Sequence, residues 1–214
     1  MEQHTARKKV EKWLLAAVHL GSILPLVLFG VAALRGQLGF NPVEIALRHS
    51  GRTAVALLLL SLTVTPLRKI FNLSILARLR KPLGLYAALY AGLHFTAFAL
   101  WDYGLNLGLI WVEFSQKPFL ILGLISLLIL ALLAATSTRN ARRRLHSGWR
   151  WLQRGVYLAA VLVVAHQFLA VKGDLATLQG DYTRPLIAGG ALLLLFVLRL
   201  PPIYQTLQRW LVRK

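Results

Sequence analysis

The chain has 214 residues, 57% of them hydrophobic and only 15% charged, with 25 Lys and Arg against 7 Asp and Glu for a net charge of +18. Soluble domains run at about 45–50% apolar and about 25% charged, so neither a disordered chain nor a soluble nucleic-acid binder with a solvated basic face fits. The absence of cysteine excludes disulfides, thiolate metal sites, iron–sulfur clusters and a cysteine nucleophile.

Six apolar runs meet, or nearly meet, the roughly 17–25 residues that a spanning helix needs. They are Trp13–Leu34, Gly51–Leu67, Pro82–Trp101, Pro118–Ala135, Leu152–Val171 and Pro185–Leu200, the second and sixth at or just below the lower limit. The predicted fold is all-α, a polytopic bundle of six transmembrane helices forming one domain over residues 1–214. The loops, of about 10–16 residues, are too short for another domain. Pro82, Pro118 and Pro185 open three runs, where a first-turn proline costs no hydrogen bond. Pro201-Pro202 is expected to stop the last run. No phosphate-cradling glycine motif occurs, and no length remains for a soluble nucleotide or flavin domain. Reading the first run as a cleaved signal peptide fits less well, because it is long for such a segment and lacks a clear small-residue cleavage site.

Charge orients the bundle. One side (N-terminus, second and fourth loops, tail) collects 19 of the 25 Lys and Arg, leaving Arg35, Arg48, Arg52, Lys117, Lys172 and Arg184 opposite. With the acids included, the sides carry +17 and +1. The positive-inside rule therefore predicts cytoplasmic N- and C-termini. Trp13, Trp149, Trp151 and Trp210 fall near the inner interface and Trp101 and Trp111 near the outer one, as an aromatic belt requires.

Six histidines occur: His4 in a polar tail, His19, His49, His94, His146 and His166. An imidazole within a span is costly without a partner, which singles out His19, His94 and His166. Spans three and five run the same way. His94 lies 12 residues after Pro82 and His166 lies 14 after Leu152, so their depths differ by only about 3 Å at about 1.5 Å per residue. Two readings stand. The pair can hold one haem iron from opposite faces, or each histidine can bond a neighbouring Ser, Thr or carbonyl separately. Tyr86, Ala87 and Tyr90 share the His94 face, and Ala159 lies seven residues before His166. Ala91, Gly92 and Ala165 permit close approach of a helix or a flat ring. His19, in the inner half of span one, reads as a packed polar residue or a proton-accessible one.

Short strings spread in order along the chain carry a family resemblance. They are Gly51-Arg52-Thr53-Ala54, Thr65-Pro66-Leu67-Arg68, Leu83-Gly84-Leu85 with Leu93-His94, Lys117-Pro118-Phe119 with Gly123, Thr136-Ser137-Thr138, Trp149, Val156-Tyr157-Leu158, His166, and Val171-Lys172 with Asp174. The chain resembles the haem-binding membrane subunits of the bacterial protein-methionine-sulfoxide reductase system (the MsrQ, formerly YedZ, family), within the ferric-reductase-like transmembrane group.

The resemblance implies an electron-transfer subunit of the bacterial inner membrane that binds haem b, with flavin mononucleotide also associated. It implies electrons from the quinone pool or a cytoplasmic flavin reductase, passed to a periplasmic molybdopterin methionine-sulfoxide reductase that repairs oxidised proteins, the partner in a heterodimer. His94 and His166 match the family's two membrane histidines as iron ligands. One position departs: the family's usual histidine at the inner start of span five is Gln153 here, 13 residues before His166. That puts a second, inner haem in doubt. His146, seven residues earlier, can replace it only if the helix extends inward that far; otherwise it belongs to a basic loop.

Arg80 and Lys81 match the family's basic pair, and with Arg139, Arg142, Arg143, Arg144, Arg150 and Arg154 they form a basic inner face. Topology and anionic lipid account for most of these. Arg80 and Arg68 are the candidates for contact with flavin, propionate or quinone, since the planar guanidinium binds oxyanions bidentately. Arg52 is placed either against an outer haem propionate or in a salt bridge to Glu44. The short outer loops Trp101–Lys117 and Lys172–Arg184 are the expected docking surface for the reductase. No general acid, base or nucleophile is assigned. The rival class is a haem-free small-solute transporter, although spans 1–3 and 4–6 show no convincing repeat. An intramembrane hydrolase built on Ser22, Ser61 or Ser126 lacks any nucleophile motif.

Overall fold

The apolar runs become helices whose ends are set by local chemistry. α1 spans Glu2–Leu34, and a turn with Gly36 and Gly39 both at φ +67° leads to α2, Pro42–Ile70. Asn41 caps α2 by accepting from the Glu44 N–H, and Pro42 fills its first turn. A 3₁₀ turn at Ser74–Arg78 precedes α3, Arg80–Thr96, which runs on into a π-helical turn at Ala97–Asp102. Next come α4 (Leu107–Gln116), α5 (Pro118–Ala135), α6 (Arg139–Leu145), α7 (Gly148–Gln153), α8 (Gly155–Leu169), α9 (Thr183–Val197) and α10 (Pro201–Val212). This computed structural model describes residues 2–171 and 180–212, with side chains for 7–171 and 180–211. Lys172, Asp174 and the His4 side chain lie outside the described residues, as does most of the loop beginning at Lys172.

The all-α, multi-span expectation holds. Five helical stretches are long and apolar enough to cross a membrane, and α9 with α10 makes a sixth if that bent pair is counted as one. Three details differ from the sequence reading. α2 begins nine residues before the expected Gly51, because the Asn41 cap and the Glu44–Arg48 pair, 2.5 Å apart one turn on, support a charged extension. The loop after Trp101 contains α4, capped by Asn106, which accepts from the Leu109 N–H. The last run does end before Pro201-Pro202, as expected, but the chain then continues in a further helix. α9 ends at Val197, the chain bends by 82°, and Pro201 opens α10, since a proline is as well placed at a helix start as it is badly placed in the interior.

The helices enclose one apolar core. α2 packs mainly on α3, α5 packs mainly on α8, and contacts of α3 with α5 and of α2 with α8 close a four-helix ring. α9 covers α2 and α8. Leu58, Leu62, Ala87, Tyr90, Ala159 and Ala160 are almost wholly buried inside it. α1 lies outside the ring, where Leu14, Leu15 and Val18 pack against the core and three polar contacts add to them: Tyr90 O–H donates to the Ser22 carbonyl (2.7 Å), Tyr86 Oη meets His19 Nδ1 (3.0 Å), and His49 donates to the Pro25 carbonyl (3.0 Å). The two tyrosines expected beside His94 therefore point at α1, because an apolar interior offers their hydroxyls nothing to bond while α1 does.

Candidate functional site

α3 and α8 sit on a diagonal of the ring and direct His94 and His166 toward each other across it. Their ring centres are 6.3 Å apart with planes at 88°. Each imidazole is held by the helix paired with it in a hairpin. His94 Nδ1–H donates to the Leu47 carbonyl of α2 at 2.9 Å, and His166 Nδ1–H donates to the Phe119 carbonyl of α5 at 2.7 Å. A carbonyl only accepts, so the proton sits on Nδ1 and Nε2 keeps its lone pair.

A glycine one turn beyond each carbonyl makes the approach possible. A Cβ on Gly51 would stand 3.0 Å from His94 Nδ1, and one on Gly123 would stand 2.8 Å from His166 Nδ1. Carbonyl, glycine and histidine thus form a set that occurs twice. Leu47, Gly51 and His94 correspond to Phe119, Gly123 and His166 at a constant offset of 72 residues. Ala87-Ala88 and Ala159-Ala160 obey the same offset. The repeat escaped the comparison of spans 1–3 with spans 4–6 because it relates spans two and three to spans four and five. The glycines carried the family resemblance; their contact with the rings became visible only in three dimensions.

The arrangement suits two axial bonds to one metal. With metal–nitrogen bonds of about 2.0–2.1 Å, two imidazoles on opposite sides of one ion have ring centres roughly 6–6.5 Å apart. Among the described residues no three His, Cys, Asp or Glu gather, so an ion here would find two protein donors. A porphyrin supplies four nitrogens of its own and asks the protein for two axial ligands. The hydrogen bond on each Nδ1 orients the ring and raises the basicity of the free nitrogen.

The other expected site residues lie elsewhere. Arg52 adjoins Gly51 and is exposed, while Glu44, its alternative partner, is taken by Arg48. Arg80 lies 14 residues before His94 along α3, about 21 Å away by helical rise, and its carbonyl accepts from Ser61 Oγ at 3.0 Å. Arg68 lines a cleft at the basic end of the bundle. His146 is exposed with φ +45°, in the break between α6 and α7, so the inward helix starts at Gly148 and stops short of it. Gln153 donates to the Leu133 carbonyl (3.2 Å) and Thr136 Oγ1 (3.4 Å), and Trp149 Nε1 donates to the Thr136 carbonyl (2.9 Å). Gln153 and Trp149 therefore tie α7 to the end of α5.

Arg199 was missed by the sequence reading. It sits at the α9–α10 bend, donates to the Leu62 carbonyl and lies over the Tyr157 ring at 4.6 Å, with Nε and Nη1 buried and unpaired among the described residues. A charged residue next to Pro201-Pro202 could have signalled that the last span is broken. At the opposite end, burial pushes the Tyr103 phenol up to about 12, helped by the neighbouring Glu113 carboxylate, while the Lys117 ammonium holds Glu113 below the usual carboxylate range.

Comparison with known proteins shows the family. The profile of the family described as "Ferric reductase like transmembrane component" matches residues 50–164, from the second residue before Arg52 to the second before His166. A protein of Rhodospirillum rubrum named "Protein-methionine-sulfoxide reductase heme-binding subunit MsrQ" is 40% identical over 188 residues, covering 87% of this chain and 86% of its own length. By profile, by identity and by coverage, the chain belongs to the ferric-reductase-like transmembrane family and, within it, to the MsrQ family.

Proposed function

We propose that the chain is a haem b electron-transfer subunit of the bacterial inner membrane, in which His94 and His166 would hold the haem iron. The observation that carries this reading is the pair of facing imidazoles, each with Nδ1–H satisfied by a backbone carbonyl and Nε2 free. When bound, haem b supplies reversible one-electron Fe(III)/Fe(II) chemistry. The chain's own part is to fix both rings, shield them with apolar helices and hold the site at one end of the bundle. No described residue is assigned to bond-making on methionine sulfoxide.

With the Lys- and Arg-rich side cytoplasmic, His94 and His166 lie in the outer half of the membrane. The partner is then a periplasmic molybdopterin methionine-sulfoxide reductase, docking on the outer loops, of which Trp101–Lys117 with α4 is described. The donor is the quinone pool or a cytoplasmic flavin reductase, with flavin mononucleotide as a second cofactor. The 40% identity to a protein named as a haem-binding subunit of that reductase supports this assignment. At the basic end, the repeat offset pairs Lys81 with Gln153. Neither is a histidine, so one haem per chain is expected.

A pyridine haemochrome assay on purified protein, with flavin extraction alongside, tests this. About one haem b per chain supports the proposal. No haem band in protein made with ample haem returns the chain to the transporter class, and two haems per chain refute the assignment of Gln153.

A further inference from the structure

α1 meets the ring through a polar seam, and one side chain at its edge is left facing the bilayer. Leu14, Leu15 and Val18 pack against the core, which turns the next residue, His19, to the lip of the crevice between α1 and α3, where it is exposed. His19 Nδ1 meets Tyr86 Oη of α3 at 3.0 Å, with the rings edge to face. Its Nε2 has no hydrogen-bond partner among the described residues. By helical rise His19 lies about 9 Å beyond Trp13 of the inner aromatic belt, so this nitrogen stands in hydrocarbon, where a lone polar group is costly. One turn further along α1, Ser22 is 1% exposed and its Oγ is buried without a partner among the described residues, although its carbonyl takes the Tyr90 O–H. The seam thus holds more polar groups than it pairs.

What pairs Nε2 must come from the lipid phase. The mouth of the crevice is apolar: Leu20 and Ile23 of α1 and Leu85 and Leu89 of α3 are all exposed. No Lys, Arg, Asp or Glu lies within four residues of His19 or Tyr86 along the chain. An anion finds nothing to hold it there, whereas a flat apolar ring carrying hydroxyls finds both its walls and its hydrogen-bond partner. Tyr86, Tyr90 and His94 follow one another at four-residue steps on α3, so the His19–Tyr86 pair lies about 12 Å from the facing histidines by helical rise. That is well inside the roughly 30 Å of the hydrocarbon core.

We infer that this crevice mouth is the lateral entry site of a membrane-dissolved hydroquinone, with His19 Nε2 accepting a ring hydroxyl proton and Tyr86 fixing the imidazole. The inference rests on the quinone donor of the proposed function and locates that donor on α1 and α3, away from Arg68 and Arg80. With the Nδ1 proton donated to Tyr86 Oη, Nε2 keeps the lone pair that this role needs. Oxidation of one hydroquinone to its quinone breaks two O–H bonds and releases two protons and two electrons. The protons pass in turn to Nε2 and on to the inner interface. The electrons leave one at a time toward His94 and His166, to the haem b proposed there as oxidant. His19 is then a catalytic residue and Tyr86 a positioning residue.

Full-length, haem-loaded protein in nanodiscs is mixed with decylubiquinol, and haem reduction is followed by stopped-flow absorbance. A photoreactive azidoquinone, mapped by mass spectrometry, reports binding without turnover. The parent is expected to be reduced, and to be labelled on α1 and α3. His19→Gln is expected to slow reduction about 100-fold or more, the scale of a lost general base, with haem content and reduction by dithionite unchanged. Tyr86→Phe is expected to lower the maximal rate about tenfold, the scale of a lost hydrogen bond, while the half-saturating decylubiquinol concentration stays the same. His49→Gln, which cuts the bond to the Pro25 carbonyl of α1 without reaching the crevice, is expected to change the rate less than about twofold. If His19→Gln does not fold, Leu89→Trp, which narrows the mouth from the exposed side of α3, takes its place and is expected to lower both labelling and rate. Slowing by His19→Gln no greater than by His49→Gln, or labelling at Arg68 and α10 in place of α1 and α3, overturns the site while the donor reading stands. Labelling of the crevice without haem reduction supports the site and overturns the donor reading. Neither labelling nor reduction overturns both.

Discussion

The α2–α3 and α5–α8 hairpins hold their histidines by the same device but occupy different surroundings. α2 is the most enclosed spanning helix, touched by α1, α3, α8, α9 and α10, whereas α5 contacts α3, α4 and α8. Despite this, the Nδ1–carbonyl bonds differ by only 0.2 Å, at 2.9 and 2.7 Å. Imidazole orientation is thus set within each hairpin, by a glycine that lets the helices close and a carbonyl one turn away. Global packing sets only how the two hairpins face one another. At the basic end the hairpins diverge: Gln153 binds the end of α5, while Ser61 of α2 binds the Arg80 carbonyl. The 72-residue correspondence is kept at His94 and His166 and lost at Lys81 and Gln153.

The largest test of that equivalence removes one of the two proposed ligands. His94→Ala and His166→Ala are each expected to lower haem content more than about tenfold and to shift the Soret band, since loss of even an outer-shell partner costs about 10–100-fold in metal affinity. Haem content unchanged in both would show that the pair is not the axial set. Next in size are the glycines. Gly123→Ala brings a Cβ to 2.8 Å from its imidazole and Gly51→Ala to 3.0 Å, so the first should lose more haem, about tenfold, and the second less. Alanine also favours a helix over glycine by about 1 kcal/mol, which offsets part of the roughly 1–3 kcal/mol cost of overpacking, so the haem-free variants should melt within a few degrees of the parent. Haem loss with that melting behaviour separates ring displacement from general damage, and equal losses would break the ranking.

The smallest effect is at Tyr103, just past the π-helical turn that follows α3. With the Tyr103 pKa raised from 10.0 to about 12, its contribution to stability is full below pH 10 and is lost as pH rises toward 12. Glu113→Gln removes the largest charge-based cause while leaving burial and the weaker influence of Asp102 in place. Tyrosinate absorbance should then show Tyr103 titrating below about 12 but still above 10. A titration that does not move would mean that Glu113 has no influence on the phenol.

Much of the site was legible before any fold was known. His94 and His166 were matched in depth by counting residues from Pro82 and Leu152, and helical rise is regular enough for such counting to succeed. Gly51 and Gly123 were visible as family positions, but nothing along one helix says that a glycine faces a ring 43 residues further on. Tyr86 and Tyr90 were placed on the His94 face by periodicity, which cannot tell that α1, and not a ligand, covers that side. The bend at Arg199 was hidden because a proline pair reads as a stop whether the chain ends its helix there or starts another.

The sequence by itself determined that the chain is a membrane helix bundle and which end is basic, because hydrophobicity and charge act along the chain and need no partner. It also placed two histidines at one depth. Only the tertiary structure decided that they face each other, that backbone carbonyls hold their Nδ1 protons, and that His19 of α1 meets Tyr86 of α3. Those are distances between helices, and they depend on side-chain volumes and hydrogen-bond directions that meet only when the bundle closes.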